Sequence, residues 1–269
     1  MKIVLENGFL DDKMDYVIND IKKKNKKYFE LAYAYNNFCY RIIERYKGIE
    51  IDTNNKELLY LLPAFGEVNK QYQASIILLQ YGFSNNFENN LRCMLELYIL
   101  MSYVIENNNN IYRLEKRTYE KTLDKLDYIK EYSLYDLIPE EVLDKQYDEL
   151  LNAKEQLKCR KIKTAPEIKD ICDNLKMNED YYKFRYLSDY VHCDYSVIME
   201  SNIFKQNGVY VNVNGNYDNL SNNILRLISV LDNVMVLMIN SMAQELKEEY
   251  EELKEQFLEL AKKEEISLN

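Results

Sequence analysis

Apolar residues recur at every third or fourth position along most of the chain, and this is the period of an amphipathic α-helix. The stretch 29–43 shows the period clearly, with apolar and aromatic residues returning to one face at steps of three and four. Extended along the chain, the pattern predicts eight helices, at about 11–46, 58–81, 86–106, 111–132, 139–159, 165–175, 180–200 and from 221 to beyond 260.

Residues that interrupt helices are scarce, since the chain has six Gly and three Pro in 269 positions. Gly48 and Gly82 are expected to end the first two helices. The stretch 91–104 is almost continuously apolar, which predicts a helix at the centre of a bundle. The asparagine run 107–110 predicts a loop after that helix.

The one pattern typical of β-structure lies before the last predicted helix. Residues 209–213 alternate in character and precede Asn214 and Gly215, a pair that favours a tight turn. We therefore expect an all-α helical bundle of about six to eight helices, with a small β-hairpin or extended loop near 204–217 and a long C-terminal helix.

The C-terminal region differs from the rest in its charge. We predict a helical bundle domain, 1–243, followed by an acidic helical extension, 244–269. An apolar stripe on this acidic helix suits a partner helix or a second copy of the chain, or else it folds back onto the bundle. The sequence leaves both interpretations open. The stripe consists of Leu246, Tyr250, Leu253, Phe257 and Leu260.

The net charge of −10 argues against a broad nucleic-acid surface, because phosphate binding is driven by clustered Lys and Arg. A small local site remains compatible with this charge. Two windows are basic: 22–27 holds five lysines, and 154–163 holds five basic residues and one acidic residue. The first is interpreted as a solvated helix face or a phosphate-attracting patch, and the second as a surface turn between helices.

Several features together predict a cytoplasmic protein. Residues 1–10 lack the long apolar core of a signal peptide. The most apolar stretch, 225–242, is interrupted by polar and charged residues, so no membrane span is expected. An odd number of cysteines without C-x-x-C spacing disfavours both a disulfide framework and a zinc site. The cysteines are Cys39, Cys93, Cys159, Cys172 and Cys193.

Common catalytic motifs are absent: the sequence has no P-loop, GxGxxG, GxSxG or HExxH pattern. His192 is the sole histidine, which excludes histidine-rich metal sites such as paired ExxH helices. We therefore predict no metal and no cofactor.

One constellation carries possible chemistry. Arg185 and His192 are seven positions apart, which is two helical turns, and Ser188 and Asp189 fall between them at steps of three and four. A neutral imidazole can accept a proton near pH 7, and an arginine can hold a phosphate. The alternative is an ordinary Arg–Asp ion pair beside an inert histidine. The other helix face, with Leu187, Val191 and Ile198, is expected to be buried.

The spacing from Arg185 to His192 resembles the R-x(4–6)-H motif of the HEPN superfamily, here with six intervening residues. These all-helical proteins include metal-independent ribonucleases, toxins of toxin–antitoxin pairs and phage-defence effectors. The resemblance implies that Arg185 and His192 are catalytic, and that two subunits share the site. HEPN toxins often carry a tyrosine two positions after the histidine, whereas here Asp194 stands there and Tyr195 follows.

A larger part of the chain, about two-thirds, resembles the uncharacterised bacterial family DUF5677. The similarity lies in 78–82 (LLQYG), 90–97 (NLRCMLEL) and 186–192 (YLSDYVH). No activity is assigned to this family, so this resemblance implies a fold and not a function.

Arg92 and Glu96 lie one turn apart in the most apolar predicted helix. A buried charge must be paired, and these two residues can form a structural ion pair. Alternatively, they face the stripe from Arg185 to His192 and complete a polar pocket there.

Two functions follow from the sequence. The first is a HEPN-like endoribonuclease that acts on single-stranded RNA as a homodimer, a toxin or phage-defence effector with Arg185, His192 and Ser188 as catalytic residues. Arg92, Glu96, Asp189 and Tyr195 would support them. The alternative is a non-catalytic helical module that binds a partner protein through the acidic C-terminal helix.

Overall fold

The fold was obtained as a computed structural model, which describes residues 12–48, 52, 54–83, 86–136, 138–191, 203–205, 209–211 and 219–264. Within these residues the chain forms an all-α bundle, which confirms the predicted fold class. The helices are α1 Met14–Lys24, α2 Lys26–Glu44, α3 Lys56–Gln80, α4 Phe87–Glu106, α5 Asn109–Glu131, α6 Glu140–Cys159, α7 Ile168–Leu175, α8 Asn178–Val191, α9 Leu220–Met242 and α10 Lys247–Lys263.

Two of the predicted helices are each divided in two. The first breaks at Asn25, whose side-chain Nδ2 donates to the carbonyl of Ile21 at 3.0 Å and satisfies a group at the end of α1. The last breaks at Ala243, where φ is −145°, and a 3₁₀ turn, Gln244–Leu246, leads into α10. Neither break carries Pro or Gly, so the sequence pattern continues through both.

The sequence predicted a loop over the whole asparagine run 107–110. In the structure only its first half is a loop, because α5 already begins at Asn109. The side chain of Asn107 accepts a hydrogen bond from the Asn109 amide at 2.9 Å. Asn110 is buried and donates to the carbonyl of Tyr103 at 2.7 Å. These asparagines therefore make the hydrogen bonds of a tight turn between α4 and α5.

Between α8 and α9 the structure describes two short segments. Strand β1, Ile203–Lys205, pairs antiparallel with strand β2, Val209–Val211, and Phe204 lies opposite Tyr210. The remainder of the predicted helix beyond 191, and of the predicted loop 204–217, lies outside the described residues.

Helix α4 lies at the centre of the bundle, as its apolar sequence predicts, and it packs against α3, α7, α8 and α9. Helix α9 packs against α2, α3 and α4. Helix α6 packs mainly against α5 and buries only Leu143 and Leu157. The α5–α6 pair is therefore the polar periphery of the bundle.

Helix α9, Leu220–Met242, is long and apolar enough to cross a bilayer by length and composition alone. Inside the fold, 61% of its most apolar window is buried against neighbouring helices. This burial is what a core helix of a bundle shows.

Helix α10 folds back onto the bundle and packs against α2 and α9. Tyr250 and Phe257 from its apolar stripe contact the rings of Phe38 and Tyr35 in α2. Leu253 is also buried. The structure thus favours the interpretation in which the stripe packs within the chain, while the proposed domain division at residue 243 stays a prediction.

Candidate functional site

Helix α8, Asn178–Val191, carries the residues that the sequence singled out. It packs against α4 and α7 through a buried face that includes Phe184, Leu187 and Ser188. The expected burial of Leu187 is confirmed, because only 1% of it is exposed. Val191 was expected to be buried, but it is 37% exposed at the last described residue of the helix. Ile198 lies outside the described residues.

Arg92 of α4 attaches α8 to the bundle centre. Its Nε donates to Ser188 Oγ at 3.1 Å, and its guanidinium lies over the ring of Phe184, 4.5 Å from the centroid. On the other side, Nη1 pairs with Glu96 Oε2 at 3.4 Å. With only 21% of its side chain exposed, Arg92 forms a partly buried contact between two helices.

Ser188 uses its hydroxyl fully in this contact. Its Oγ donates to the carbonyl of Phe184 at 2.8 Å while it accepts from Arg92, and the residue is buried. A hydroxyl that donates to the preceding turn is common in helices and leaves no free proton. Ser188 therefore joins α8 to α4, and its suggested catalytic role stays a prediction.

A second polar contact in the same region was missed by the sequence analysis. Glu88 is almost fully buried and accepts two hydrogen bonds from Arg226 of α9, at 2.7 and 3.1 Å. Burial raises the pKa of Glu88, and Arg226 opposes that shift. The available signal was the repeat Glu88, Arg92, Glu96 at steps of four, which marks one polar row on an apolar helix.

Two tyrosines of α8 lie near this ion pair. The hydroxyls of Tyr186 and Tyr190 are 3.3 Å apart and their rings meet edge to face. Burial, with the hydrogen bond between Tyr190 and Tyr186, raises the pKa of Tyr190. Tyr190 therefore remains protonated near neutral pH and keeps the ring of Tyr186 in place.

The outer face of α8 is different. Arg185 is exposed, and within the described part of the chain it forms no ion pair or hydrogen bond. Tyr182 and Tyr186, three positions before and one position after it, are 72% and 49% exposed. Asp189 is half-buried one turn further on. We name Tyr182, Arg185 and Tyr186 the α8 outer face.

The structure brings together only some of the predicted site residues. Arg92, Glu96 and Ser188 are in contact, whereas Arg185 points away from them on the exposed side of α8. His192 and Tyr195 lie outside the described residues, so the pairing of Arg185 with His192 stays a prediction.

Other reactive groups in the described part of the chain give no second cluster. The described residues contain no group of three or more His, Cys, Asp or Glu that could hold a metal ion. Among the cysteines the structure describes, Cys39 and Cys172 are buried free thiols, and burial raises the pKa of both. Neither is poised as a nucleophile.

Comparison with known proteins matches residues 58–210, more than half of the chain, to a family of unknown function, DUF5677. The match runs from the first turn of α3 to β2, and so includes the Arg92–Ser188 contact and the α8 outer face. No curated protein and no solved structure matches the chain significantly. The chain therefore belongs to the DUF5677 family.

Proposed function

We propose that this protein is a HEPN-like, metal-independent endoribonuclease whose catalytic residues are Arg185 and His192. The observation that carries the proposal is the α8 outer face. An exposed arginine without a partner among the described residues lies there near two exposed tyrosines, on a helix that Arg92 joins to α4.

The chemistry needs one base and one group that binds phosphate. His192 takes the proton from an RNA 2′-hydroxyl, and that oxygen attacks the adjacent phosphorus. The bond from phosphorus to the 5′-oxygen breaks, and the leaving oxygen takes a proton from water. Arg185 holds the non-bridging oxygens and stabilises their developing charge. The products are a 2′,3′-cyclic phosphate and a 5′-hydroxyl.

The tyrosines suit single-stranded RNA in particular. Unpaired bases stack on exposed aromatic rings, and each stacked base contributes about 1–3 kcal/mol in typical proteins. Tyr182 and Tyr186 offer such rings one turn apart, on the same exposed side of α8 as Arg185. The phosphate between two stacked bases would then lie beside the guanidinium.

Arg92, Glu96 and Ser188 act as positioning residues in this proposal. They make the contact that holds α8 against α4, and Asp189 lies between that contact and the outer face. A rigid helix keeps the guanidinium of Arg185 in one place, which is what orientation of a phosphate requires.

A homodimer is part of the proposal, because the HEPN resemblance implies a site shared by two subunits. The apolar stripe of α10 is buried within the chain, so α8 is the better candidate for the contact between subunits. The same burial weakens the alternative of a partner-binding module, which rested on that stripe.

The test is cleavage of single-stranded RNA by the purified protein in EDTA at low ionic strength. Wild-type protein should give products that end in 2′,3′-cyclic phosphate. His192→Ala should lower the rate by about 10²–10⁴ because the base is lost. Arg185→Lys should also fail, since an ammonium cannot grip two phosphate oxygens as a guanidinium does.

The matched control is Arg45→Lys. Arg45 is an exposed arginine directly after α2, far from α8 in the sequence. A lysine at this position can keep the ion pair with Glu245. This variant should cleave as wild type does. Cleavage that survives both site substitutions, or no cleavage by a folded wild-type dimer, would reject the proposed function.

A further inference from the structure

A basic surface lies where the connection between α6 and α7 packs against α5. The two stretches involved, 113–120 and 154–167, hold eight basic and four acidic residues in a chain whose net charge is −10. The sequence pattern alone indicated a surface turn at 154–163. In the structure, basic residues from the first turns of α5 lie beside this turn and belong to the same surface.

The connection is held in one conformation by cations of α5, which donate to its backbone carbonyls. Lys116 Nζ donates to the carbonyl of Ile162 at 2.8 Å, and Arg117 Nη1 donates to that of Pro166 at 2.7 Å. The carbonyl of Arg113 accepts from the Ala165 amide at 3.1 Å. The segment is therefore a fixed part of the surface.

These contacts leave the positive charges without neutralising partners. A carbonyl oxygen satisfies a donor but does not cancel its charge. Of the four acids in the two stretches, Glu155 pairs with Lys158 at 3.2 Å, and Glu120 accepts a hydrogen bond from Thr164 at 2.9 Å that leaves its charge in place. Together with Glu115 and Glu167 they balance half of the eight basic residues. Positive charge is thus in excess at this surface.

Three cations of the connection point to solvent. Arg160, Lys161 and Lys163 are all exposed, and none pairs with a carboxylate in the part of the chain that the structure describes. Lys161 has φ of +58° just after α6, which turns the chain so that consecutive cations spread over the surface. We call Arg160, Lys161 and Lys163, with Lys116 and Arg117 behind them, the basic platform.

We propose that the basic platform binds the phosphate backbone of single-stranded RNA. The inference rests on the proposed function, for which it supplies a second, basic RNA-binding surface beside the α8 outer face. Clustered, unneutralised Lys and Arg are what phosphate binding requires. Helix α7, Ile168–Leu175, which is about 12 Å long, separates the platform from the start of α8 along the chain.

The experiment measures binding without cleavage. The probe is a fluorescent 2′-O-methyl oligouridylate, which lacks the 2′-hydroxyl nucleophile, and wild-type full-length protein is titrated by fluorescence anisotropy across a range of salt. The platform variant combines Arg160→Gln, Lys161→Gln and Lys163→Gln. The control variant combines Lys247→Gln, Lys262→Gln and Lys263→Gln, which removes the same charge from exposed positions on α10.

The platform variant should bind about tenfold more weakly, with a salt slope smaller by about 2, since each phosphate contact in single strands contributes about 0.7 to that slope. The control variant should bind within about twofold of wild type. Equal losses in both variants would overturn the proposal, because only overall charge would then matter. Binding to phosphatidylserine vesicles but not to the oligonucleotide would also overturn it.

Cleavage is measured separately on unmodified RNA, so the two proposals fail independently. Weaker binding by the platform variant without any cleavage by wild type would keep the platform and reject the ribonuclease. Cleavage by wild type with unchanged binding by the platform variant would keep the ribonuclease and reject the platform.

Discussion

The cluster around Asp232 and the outer face of α8 both place charged groups beside tyrosines, but in opposite environments. Asp232 is buried between α2, α9 and α10, and its Oδ1 accepts hydrogen bonds from Tyr35 at 2.9 Å and Tyr250 at 2.7 Å. Lys254 Nζ lies 4.0 Å from its Oδ2. Arg185, by contrast, is exposed on α8 and has no partner among the described residues.

The difference indicates which polar groups hold the structure and which are available to a ligand. A buried polar group must find its partners within the fold, and the helices that supply them become joined. The Asp232 cluster joins α10 to α2 and α9 in this way. An exposed arginine contributes little to the stability of the fold, so its substitution should lower activity without lowering the free energy of unfolding.

The largest expected effect is at Asp232. Asp232→Leu leaves the hydroxyls of Tyr35 and Tyr250 buried without an acceptor, which should lower the free energy of unfolding by about 3 kcal/mol. Asp232→Asn keeps an acceptor oxygen and should cost less than half of that. Urea unfolding of the two variants measures both values. Equal losses would mean that the hydroxyls find other acceptors and that the cluster does not hold α10.

The same carboxyl gives a pH dependence. Burial raises the pKa of Asp232, against the hydrogen bonds from Tyr250 and Tyr35. A carboxyl with a raised folded-state pKa contributes most below its unfolded-state pKa, and that contribution is lost as pH rises through the folded-state pKa. Wild type should therefore lose stability relative to Asp232→Asn as pH rises above about 4. A difference that does not change with pH would contradict this.

A smaller loss is expected at the pair of Glu88 and Arg226. Arg226→Met leaves Glu88 buried without its partner and should cost about 2 kcal/mol, below the range for fully buried pairs because Arg226 is 39% exposed. Adding Glu88→Gln removes the uncompensated charge and should recover part of the loss. Thermal unfolding of the single and double variants tests this, and a double variant less stable than the single one would show that the charge is not the cause.

A still smaller loss in the free energy of unfolding is expected at Arg92. Arg92→Met removes the hydrogen bond to Ser188 and the contact with Phe184, and should cost about 1 kcal/mol. Because α8 is then held less firmly, its amides should exchange hydrogen faster than those of α3. Uniformly faster exchange across the bundle would mean that Arg92 stabilises the fold as a whole and does not position α8.

Much of the fold is predictable from sequence, since apolar periodicity gives the helices and continuous apolarity places α4 at the centre. The breaks at Asn25 and Ala243 were missed because a side-chain hydrogen bond and a single non-helical residue leave no mark in that periodicity.

Contacts within one helix were also predictable, and those between helices were not. The pair of Arg92 and Glu96 follows from a spacing of four, whereas Glu88 and Arg226 are 138 positions apart. Ser188 was assigned to the stripe of Arg185 because the two are three positions apart. Packing against α4 instead fixes the face of α8, so Ser188 turns inward to Arg92 and Arg185 turns outward.

The most direct test of this account is one paired measurement on Arg185→Ala: the unfolding midpoint and the single-turnover rate of RNA cleavage, both compared with wild type. We predict that the unfolding midpoint is unchanged and that the free energy of unfolding stays within about 0.5 kcal/mol of wild type, because the substitution removes an exposed side chain without a partner among the described residues. The rate should fall by about 10²-fold or more, because a phosphate-binding charge is lost. A destabilised protein, or a stable protein that cleaves RNA at the wild-type rate, would contradict the account.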